Sequence, residues 1–335
     1  MKMNKNLKNL EPYDAKITPI KAKRLHFNEA HSPILQIEIL QKNILNLVHQ
    51  YPEIQYINFI KKASKFYQIS TKYITPTNGS DEAISLITSV FCNPNDKCMI
   101  LFPTFSVYEL QAKICGIKIV KFPLSETQND FKLNINLFIQ NIKKHRPHIV
   151  FLPNPLANVG NIIDRQNILK LIQTFPTIFF IIDEAYIEFS QERSMIFEVK
   201  NYKNLIVLRT LSKFFGLAGA RIGFIFSNFN DEINKAKDPF NISSITLEIS
   251  LNFFENIDKS IMKKRFDENL LNKKNMINWL KTFNEIEKIY TSYANFLFIK
   301  LNCDSKKFEK KLLSKFNIQI KSFSGKLQNF CRISF

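Results

Sequence analysis

The sequence predicts an α/β protein in which a mostly parallel sheet is covered by helices, with a smaller α+β domain beside it. Two observations support this fold class. Short apolar runs alternate with helical stretches between residues 98 and 226, and continuous apolar strands are typical of parallel sheets buried on both faces. After about residue 229 the alternation stops, and longer helices with shorter strands take its place.

Residues 1–33 are polar and are expected to form an arm laid across another part of the protein. Two helices are predicted after the arm, residues 34–49 and 54–67. They are separated at Tyr51-Pro52, because proline disfavours the helical conformation in the residue before it. A further helix begins within TNGSDE, residues 77–82.

The central part of the chain supplies the large sheet. The predicted strands are residues 98–102, 117–122, 148–152, 178–183, 205–209 and 221–226. The predicted helices between them lie near residues 107–115, 135–144 and 165–174. Ligands of such sheets bind beyond the carboxyl ends of the strands, so we expect the functional site there.

The part after residue 235 is expected to form the smaller domain. Its predicted helices are residues 242–254 and 257–281, and its predicted strands lie near residues 294–301, 318–321 and 331–334. The predicted organisation is therefore a large domain of residues 34–235 and a small domain of residues 236–335 that includes the arm, residues 1–33.

Composition disfavours several classes of protein. Of 335 residues, 45% are hydrophobic and 23% are charged, and no apolar run approaches the roughly 18–20 residues of a membrane helix. The N-terminus lacks the apolar core of a secretory signal, so a cytoplasmic protein is expected. The five cysteines and five histidines show no ligand-type spacing, so no metal site is expected.

The formal net charge of +18 suggests an anionic partner. The lysines, however, are spread along the chain and interleaved with aspartate and glutamate, as on solvated helix faces. We therefore expect no nucleic-acid binding and no membrane partner, and we interpret the charge as attracting small anionic substrates.

The stretch TLSKFFGLAGARIGF, residues 210–224, contains three of the seven glycines of the chain. A glycine-poor chain uses glycine where the backbone takes positive φ or approaches another group closely. Lys213 would hold a phosphorylated aldehyde as a Schiff base, and Thr210, Ser212 and Arg221 would hold the phosphate. The alternative interpretation is a buried strand–turn–strand whose lysine extends to solvent.

A carboxylate, Asp183, ends the apolar run IFFIID, and Tyr186 follows three residues later. A carboxylate at the end of a buried strand needs a cation or several donors, and a protonated pyridine nitrogen is such a cation. Tyr186 would reach the phenolic oxygen of the same ring, and Phe105 would stack on its face. The alternatives are a structural ion pair or helix cap for Asp183 and a core aromatic for Phe105.

Two further groups are candidates for anion binding. Ser80 and Asp81 lie at a predicted helix start, where free N–H groups bind phosphate readily, although an ordinary helix cap is the alternative. Arg332 would hold a carboxylate or phosphate of the substrate in a bidentate manner, with a surface arginine as the alternative.

With these residues assembled, the chain resembles the fold-type I pyridoxal-phosphate aminotransferases, and most closely the histidinol-phosphate aminotransferase family. The motifs that carry the resemblance are YPE at 51–53, NGSDEAI at 78–84, PTFSVY at 103–108, DEAYIEF at 183–189, residues 210–224 and RIS at 332–334. The resemblance covers nearly the whole chain. It implies a sheet of the seven-stranded type, pyridoxal 5'-phosphate as cofactor and aminotransferase activity.

The resemblance also implies a role for each candidate. Lys213 would carry the Schiff base, Asp183 would face the pyridine nitrogen and Tyr186 the ring oxygen. The implied phosphate contacts are Ser80, the Asp81 backbone, Ser212 and Arg221. The implied substrate contacts are Tyr13, Asn28 and Arg332. Tyr51 would reach into the site of the neighbouring subunit, so the resemblance implies a homodimer.

Departures from the family pattern fall around the substrate. Where the family usually has Asn-Pro-Thr-Gly, residues 157–160 read ANVG, so Ala157 takes the place of the ring-contacting asparagine. Either Asn158 or Asn154 substitutes for it, or that contact is missing. Lys321 stands where the family often has another substrate arginine, and NEA replaces NEN at residues 28–30.

Three functions follow as hypotheses. The leading one is an aminotransferase acting between an amino acid such as glutamate and a small phosphorylated ketone. That ketone would be imidazole-acetol phosphate or a smaller one such as dihydroxyacetone phosphate. The second is an amino-acid-phosphate decarboxylase with the same cofactor, like the threonine-phosphate decarboxylases. The third is a non-catalytic binding protein whose positive charge attracts nucleic acid.

Overall fold

The fold is given by a computed structural model that describes residues 5–7, 10, 18–19, 21–35 and 45–335. The strands are β1 (Lys23–Arg24), β2 (Ile74–Asn78), β3 (Lys97–Phe102), β4 (Lys118–Pro123), β5 (Ser125–Glu126), β6 (Phe131–Lys132), β7 (Ile149–Pro153), β8 (Phe179–Asp183), β9 (Leu205–Thr210), β10 (Ile222–Phe226), β11 (Ile286–Ile289), β12 (Phe296–Leu301), β13 (Ile318–Gln319), β14 (Lys321–Ser322) and β15 (Phe330–Ser334). The helices are α1 (Leu45–Val48), α2 (Ile57–Tyr67), α3 (Gly79–Phe91), α4 (Ser106–Ile114), α5 (Ile135–His145), α6 (Arg165–Thr174), α7 (Asn230–Ala236), α8 (Ser244–Asn256), α9 (Lys259–Leu280) and α10 (Ser305–Phe316).

A seven-stranded sheet with the order β2-β10-β9-β8-β7-β3-β4 forms the centre of the fold. Strand β10 is antiparallel to both of its neighbours, and the steps from β9 to β4 are all parallel. The predicted mostly parallel α/β sheet is therefore confirmed. The predicted strands and helices between residues 98 and 226 lie within one or two residues of the observed ones. The helix predicted at residues 54–67 is observed as α2, which begins three residues later.

The two faces of this sheet are covered by different helices. In β7, Val150 and Leu152 belong to a core cluster that contains residues of α2, α5, α6 and α8, whereas Ile149 and Phe151 belong to a cluster with α3, α4 and α7. Successive side chains of a strand point to opposite faces, so a run such as IVFLP is buried throughout only when both faces are covered. This explains the continuous apolar runs of the sequence.

The C-terminal part forms a four-stranded antiparallel sheet of order β11-β12-β15-β14. One face packs in a cluster with Leu280 of α9 and Leu312 of α10, and the other face contributes Phe298 and Phe330 to the core cluster of the large sheet. Strand β1 pairs in parallel with β13, so this described piece of the N-terminal arm joins the C-terminal part. The domain boundary at residues 235 and 236 stays a prediction.

Some elements differ from the sequence-based expectations. Strand β2, ITPTN, was not anticipated because it is polar and contains Pro76, a residue that sheets tolerate at an edge, and β2 is an edge strand. Helix α10 and strand β11 were not predicted either. Of the helix expected at residues 34–49, most lies outside the described residues, and the described part has the four-residue α1.

Candidate active site

The candidate site lies where three neighbouring parallel strands end. Pro153 at the end of β7 is paired with Asp183 at the end of β8, and Asp183 is paired with Leu208, two residues before the end of β9. The N–H of Asn154 donates to the Asp183 carbonyl at 2.8 Å. Because parallel strands end at the same edge, Asp183 and the turn that carries Lys213 are brought together there, as the sequence predicts.

The Asp183 side chain is buried, with 5% of its surface exposed. Its Oδ2 accepts from the Tyr108 hydroxyl at 2.6 Å, and its Oδ1 accepts from the Ala185 N–H at 3.0 Å. Burial raises the pKa of Asp183, while the two donors and the positive charge of Lys213 oppose that rise. The carboxylate thus has hydrogen-bond donors but forms no ion pair in the part of the chain that the structure describes.

Lys213 lies in the turn after β9, beside the N-terminal segment of the chain. Its Nζ donates to the Phe27 carbonyl at 3.0 Å and lies 6.0 Å from the centre of the Tyr186 ring. The Tyr186 hydroxyl in turn accepts from Asn28 Nδ2 at 2.9 Å. Lys213, Tyr186 and Asn28 are therefore neighbours, and Lys213 is close enough to Asp183 to lower the pKa of that carboxyl.

The N-terminus of α3 faces the start of β10 at close range, and two glycines permit this approach. A Cβ on Gly223 would lie 2.6 Å from the Gly79 carbonyl carbon. Gly79 has φ of +74°, and a Cβ there would lie 2.5 Å from Arg221 Nη2. Arg221 also pairs with Asp81 at 2.9 Å. The arrangement places a guanidinium beside the free N–H groups of a helix N-terminus, which suits an anion.

Thr210 and Ser212 continue this anion-binding region from the end of β9. Thr210 Oγ1 accepts from the Ser212 N–H at 3.1 Å and lies 2.9 Å from Ser212 Oγ. Both residues are buried. Ser80, at the second position of α3, is half-buried. These residues come from two chain segments that converge because β10 lies between β2 and β9.

Arg332 approaches from the four-stranded sheet. Its Nη1 donates to Asn158 Oδ1 at 2.6 Å and its Nη2 donates to the His26 carbonyl at 2.7 Å. Lys321 is the register partner of Arg332 on the adjacent antiparallel strand, so the two cations are cross-strand neighbours. Burial and Arg24 lower the pKa of His26 to about 4, so this imidazole adds no charge near neutral pH.

The two candidate asparagines differ in their surroundings. Both ends of the Asn154 amide bind the backbone of Ile163, at 3.2 Å for Nδ2 and 2.8 Å for Oδ1. Asn158 donates from Nδ2 to the Thr104 carbonyl and accepts from Arg332. The Asn154 side chain therefore binds only the backbone of its own loop in these contacts, whereas Asn158 lies beside Arg332, a predicted substrate residue. Its role as a ring contact stays a prediction.

The remaining predicted residues are more dispersed. Phe105 is half-buried and meets Tyr108 edge-on, with 5.7 Å between the ring centres. Tyr51 is 80% exposed and stacks on Phe240 at 4.5 Å. Tyr13 lies outside the described residues. The predicted roles of all these residues remain predictions.

Two groups of residues near the site were missed from the sequence. Tyr108 ends the motif PTFSVY, and the available signal is that a buried tyrosine usually needs a partner for its hydroxyl. Arg209, beside Thr210, forms buried ion pairs with Glu184 and Glu188, at 3.3 Å from Nη1 to Glu184 Oε2. An arginine within an apolar strand and two glutamates just after another strand were the available signal.

Comparison with known proteins identifies the class of protein to which this fold and site belong. The sequence profile of the family "Aminotransferase class I and II" matches residues 23–335. The chain therefore belongs to the class I and II aminotransferases and is an aminotransferase enzyme.

Within that class, the chain is 35% identical to histidinol-phosphate aminotransferase of Clostridium novyi (strain NT), over 98% of this chain and 91% of that protein. It is also 35% identical to histidinol-phosphate aminotransferase of Buchnera aphidicola subsp. Schlechtendalia chinensis, over 99% and 92% of the two chains. The resemblance to the histidinol-phosphate aminotransferase family that the motifs predict is thus confirmed.

Solved structures share the fold. The histidinol-phosphate aminotransferase from Clostridium acetobutylicum superposes with a TM-score of 0.82 at 24% identity, covering 93% of each chain. The enzyme from Sinorhizobium meliloti in complex with pyridoxal-5'-phosphate gives 0.82 at 19% identity, covering 93% of this chain and 86% of that one. L-threonine-O-3-phosphate decarboxylase from Porphyromonas gingivalis gives 0.79 at 20% identity, covering 93% and 94%.

Pyridoxal 5'-phosphate is the cofactor of this enzyme, and the residues present fit it. Asp183 is a buried carboxylate that has hydrogen-bond donors and, among the described residues, no ion-pair partner, so it suits a protonated pyridine nitrogen. The primary amine of Lys213 suits the aldehyde. The glycine-lined approach of α3 to β10, with Arg221 and Ser212, suits the phosphate.

None of the helices that the structure describes has the length and apolar character of a membrane span.

Proposed function

We propose that this protein transfers the amino group between an amino acid such as glutamate and a small phosphorylated ketone, of the imidazole-acetol phosphate type or smaller. The single observation that carries the proposal is the meeting of Asp183, Lys213 and Tyr186 at the ends of adjacent strands. The curated relatives that the chain matches over nearly its whole length are named for a small phosphorylated amino compound, histidinol phosphate.

The bound cofactor supplies an electron sink that stabilises negative charge on the substrate carbon. Asp183 would hold the ring nitrogen in its protonated, positively charged form. Lys213 Nζ would act as the general base that holds and moves the proton of the substrate carbon, because its amine sits on a flexible side chain at this site. Tyr186, itself fixed by Asn28, would donate its hydroxyl proton to the ring oxygen.

Substrate binding would use the two cations on β14 and β15. Arg332 and Lys321 are cross-strand neighbours, and an amino-acid carboxylate or a phosphate requires such charge. Arg332 is oriented by Asn158 and by the His26 carbonyl, so its guanidinium is held before substrate arrives. The pair would suit both substrates of a transamination, because each of them carries an anionic group.

We also propose that the active unit is a homodimer. Tyr51 is 80% exposed, and Val48, Ile54 and Ile57 near it are more than 40% exposed. Exposed apolar residues grouped along a short stretch favour burial against another copy of the chain. Tyr51 would then contribute to the site of the partner subunit, as the resemblance implies.

One set of reactions supplies cofactor, glutamate and each ketone phosphate, and a second set supplies cofactor and an amino-acid phosphate. Both 2-oxoglutarate and carbon dioxide are measured in each set. We expect 2-oxoglutarate without carbon dioxide from the wild type, and no product from Lys213→Ala. Lys203→Ala is the matched control, because Lys203 is exposed and precedes β9, the strand that Lys213 follows. Carbon dioxide without 2-oxoglutarate, from an amino-acid phosphate, would instead establish the decarboxylase. No product from any of these substrates would refute both.

A further inference from the structure

Tyr108 is a fully buried residue of α4 whose hydroxyl reaches the candidate site, 2.6 Å from Asp183 Oδ2. Its ring is held by aromatic neighbours. It stacks on Phe151 of β7, with 4.7 Å between ring centres and 15° between planes, and it meets Phe105 edge-on. The ring therefore cannot turn away, and the hydroxyl has a fixed position relative to the end of β8.

The hydrogen bond between these residues has a defined direction. Burial and the adjacent Asp183 charge raise the pKa of Tyr108 well above its ordinary value, so the phenol keeps its proton and donates it. Donation to a carboxylate favours the charged form and lowers the pKa of Asp183, against the effect of burial. The second donor, the Ala185 N–H, reaches the other oxygen.

We propose that Tyr108 is a positioning residue of the cofactor site, whose hydroxyl fixes the orientation of the Asp183 carboxylate and favours its charged form. The consequence is tighter binding of a cofactor that carries positive charge on its ring. This inference rests on the proposed function, because it takes Asp183 as the partner of the ring nitrogen. Tyr108 would act through Asp183, to which its hydroxyl donates.

The test is a double-mutant cycle on the affinity of the apoprotein for pyridoxal 5'-phosphate, measured by titration at neutral pH. Tyr108→Phe keeps the ring and its stacking and removes the hydroxyl. We expect it to weaken binding about tenfold, because a hydrogen bond to a charged group is lost. In the Asp183→Asn background, where no charge remains to be stabilised, the same substitution should change the affinity less than about twofold.

Tyr67→Phe is the matched control. Tyr67 is also buried among aromatic rings, but its hydroxyl has no hydrogen-bond partner among the residues that the structure describes, so its removal should leave the affinity unchanged. An equal loss from Tyr108→Phe in both backgrounds would mean that Tyr108 acts through packing and would overturn the inference. Wild-type affinity in Tyr108→Phe would overturn it as well.

The cycle separates this inference from the proposed function. If Asp183→Asn itself binds the cofactor as tightly as the wild type, the assigned role of Asp183 fails and this inference fails with it. If Asp183→Asn weakens cofactor binding but Tyr108→Phe binds as tightly as the wild type, only the inference about Tyr108 fails. Should Tyr108→Phe not fold, infrared difference spectra of wild type and Asp183→Asn report the protonation state directly. An ionised Asp183 at neutral pH supports the inference, and a protonated one overturns it.

Discussion

Replacing Asp183 with asparagine should stabilise the apoprotein while removing the function that we propose for it. The wild-type carboxylate is buried, accepts hydrogen bonds from Tyr108 and Ala185, and forms no ion pair in the described part of the chain. Asparagine has nearly the same shape, and its Oδ1 can still accept from the Ala185 N–H. The substitution therefore removes a costly buried charge and leaves the packing intact.

The expected size of the effect follows from this environment. Desolvation of a buried carboxylate costs several kcal/mol, and its two donors recover part of that cost, so we expect a gain of about 1–3 kcal/mol. With 335 residues and an unfolding entropy of about 2.1 cal/mol/K per residue, each 1 kcal/mol corresponds to roughly 1.5 °C in melting temperature. Asp183→Asn should thus melt about 1.5–4.5 °C higher than the wild-type apoprotein.

The pH dependence has a definite sign. Burial raises the folded-state pKa of Asp183 above its value of about 3.9 in the unfolded chain, so the folded state binds the proton more tightly. The destabilisation is absent below the unfolded pKa, develops as the pH rises through the folded pKa, and then stays constant. The difference in melting temperature between Asp183→Asn and the wild type should therefore be smallest at low pH, grow as the pH rises, and then stay constant.

The assay is thermal unfolding of both apoproteins over a series of pH values, with and without cofactor. Asp267→Asn is the control, since Asp267 is exposed in a pair with Lys263 and should shift the melting temperature little. Added cofactor should stabilise the wild type more than Asp183→Asn. A variant less stable than the wild type at neutral pH, or a gap independent of pH, would refute the reasoning.

Two further substitutions test the packing around the site. Arg209→Met should lower the free energy of unfolding by about 3–5 kcal/mol, measured with denaturant, because it leaves the buried Glu184 and Glu188 without their cation. A change near zero would show that these carboxylates are neutral in the folded protein. Gly223→Ala should lower the free energy of unfolding by about 1–3 kcal/mol and weaken cofactor binding, because its Cβ would meet the Gly79 backbone. Gly219→Ala is the control, because a Cβ at Gly219 has open space around it and should change neither property. Equal behaviour of the two alanine variants would contradict the close approach of α3 to β10.

The strands of the large sheet, apart from β2, could be located from the sequence because they are buried on both faces. Runs such as LIVL and FFII have no polar interruption, and helices lie between the runs from β3 to β8. The proximity of Asp183 and Lys213 could be predicted as well, because Asp183 ends one such run and Lys213 lies in the turn that follows the next. Strand β2 escaped because its five residues, ITPTN, carry no apolar run and obtain their burial from β10 and the helices nearby.

Contacts between distant parts of the chain could not be predicted. Tyr108 and Asp183 are 75 residues apart, and Asn158 and Arg332 are 174 apart. The choice between Asn154 and Asn158 illustrates the limit, since both lie in the same loop and differ only in their partners. Local spacing identifies which residues have suitable chemistry, whereas the strand order and the packing of the small sheet determine which of them meet.

Two adjacent carboxylates at the end of β8 show how one chain can prepare different environments for the same chemical group. Glu184 is buried against Arg209, a cation of the protein that it shares with Glu188. Asp183 receives neutral donors instead, which tolerate its charge without neutralising it. Because a buried anion of this kind is more stable beside a cation, the folded protein favours a positively charged ligand at Asp183 and has no such need at Glu184.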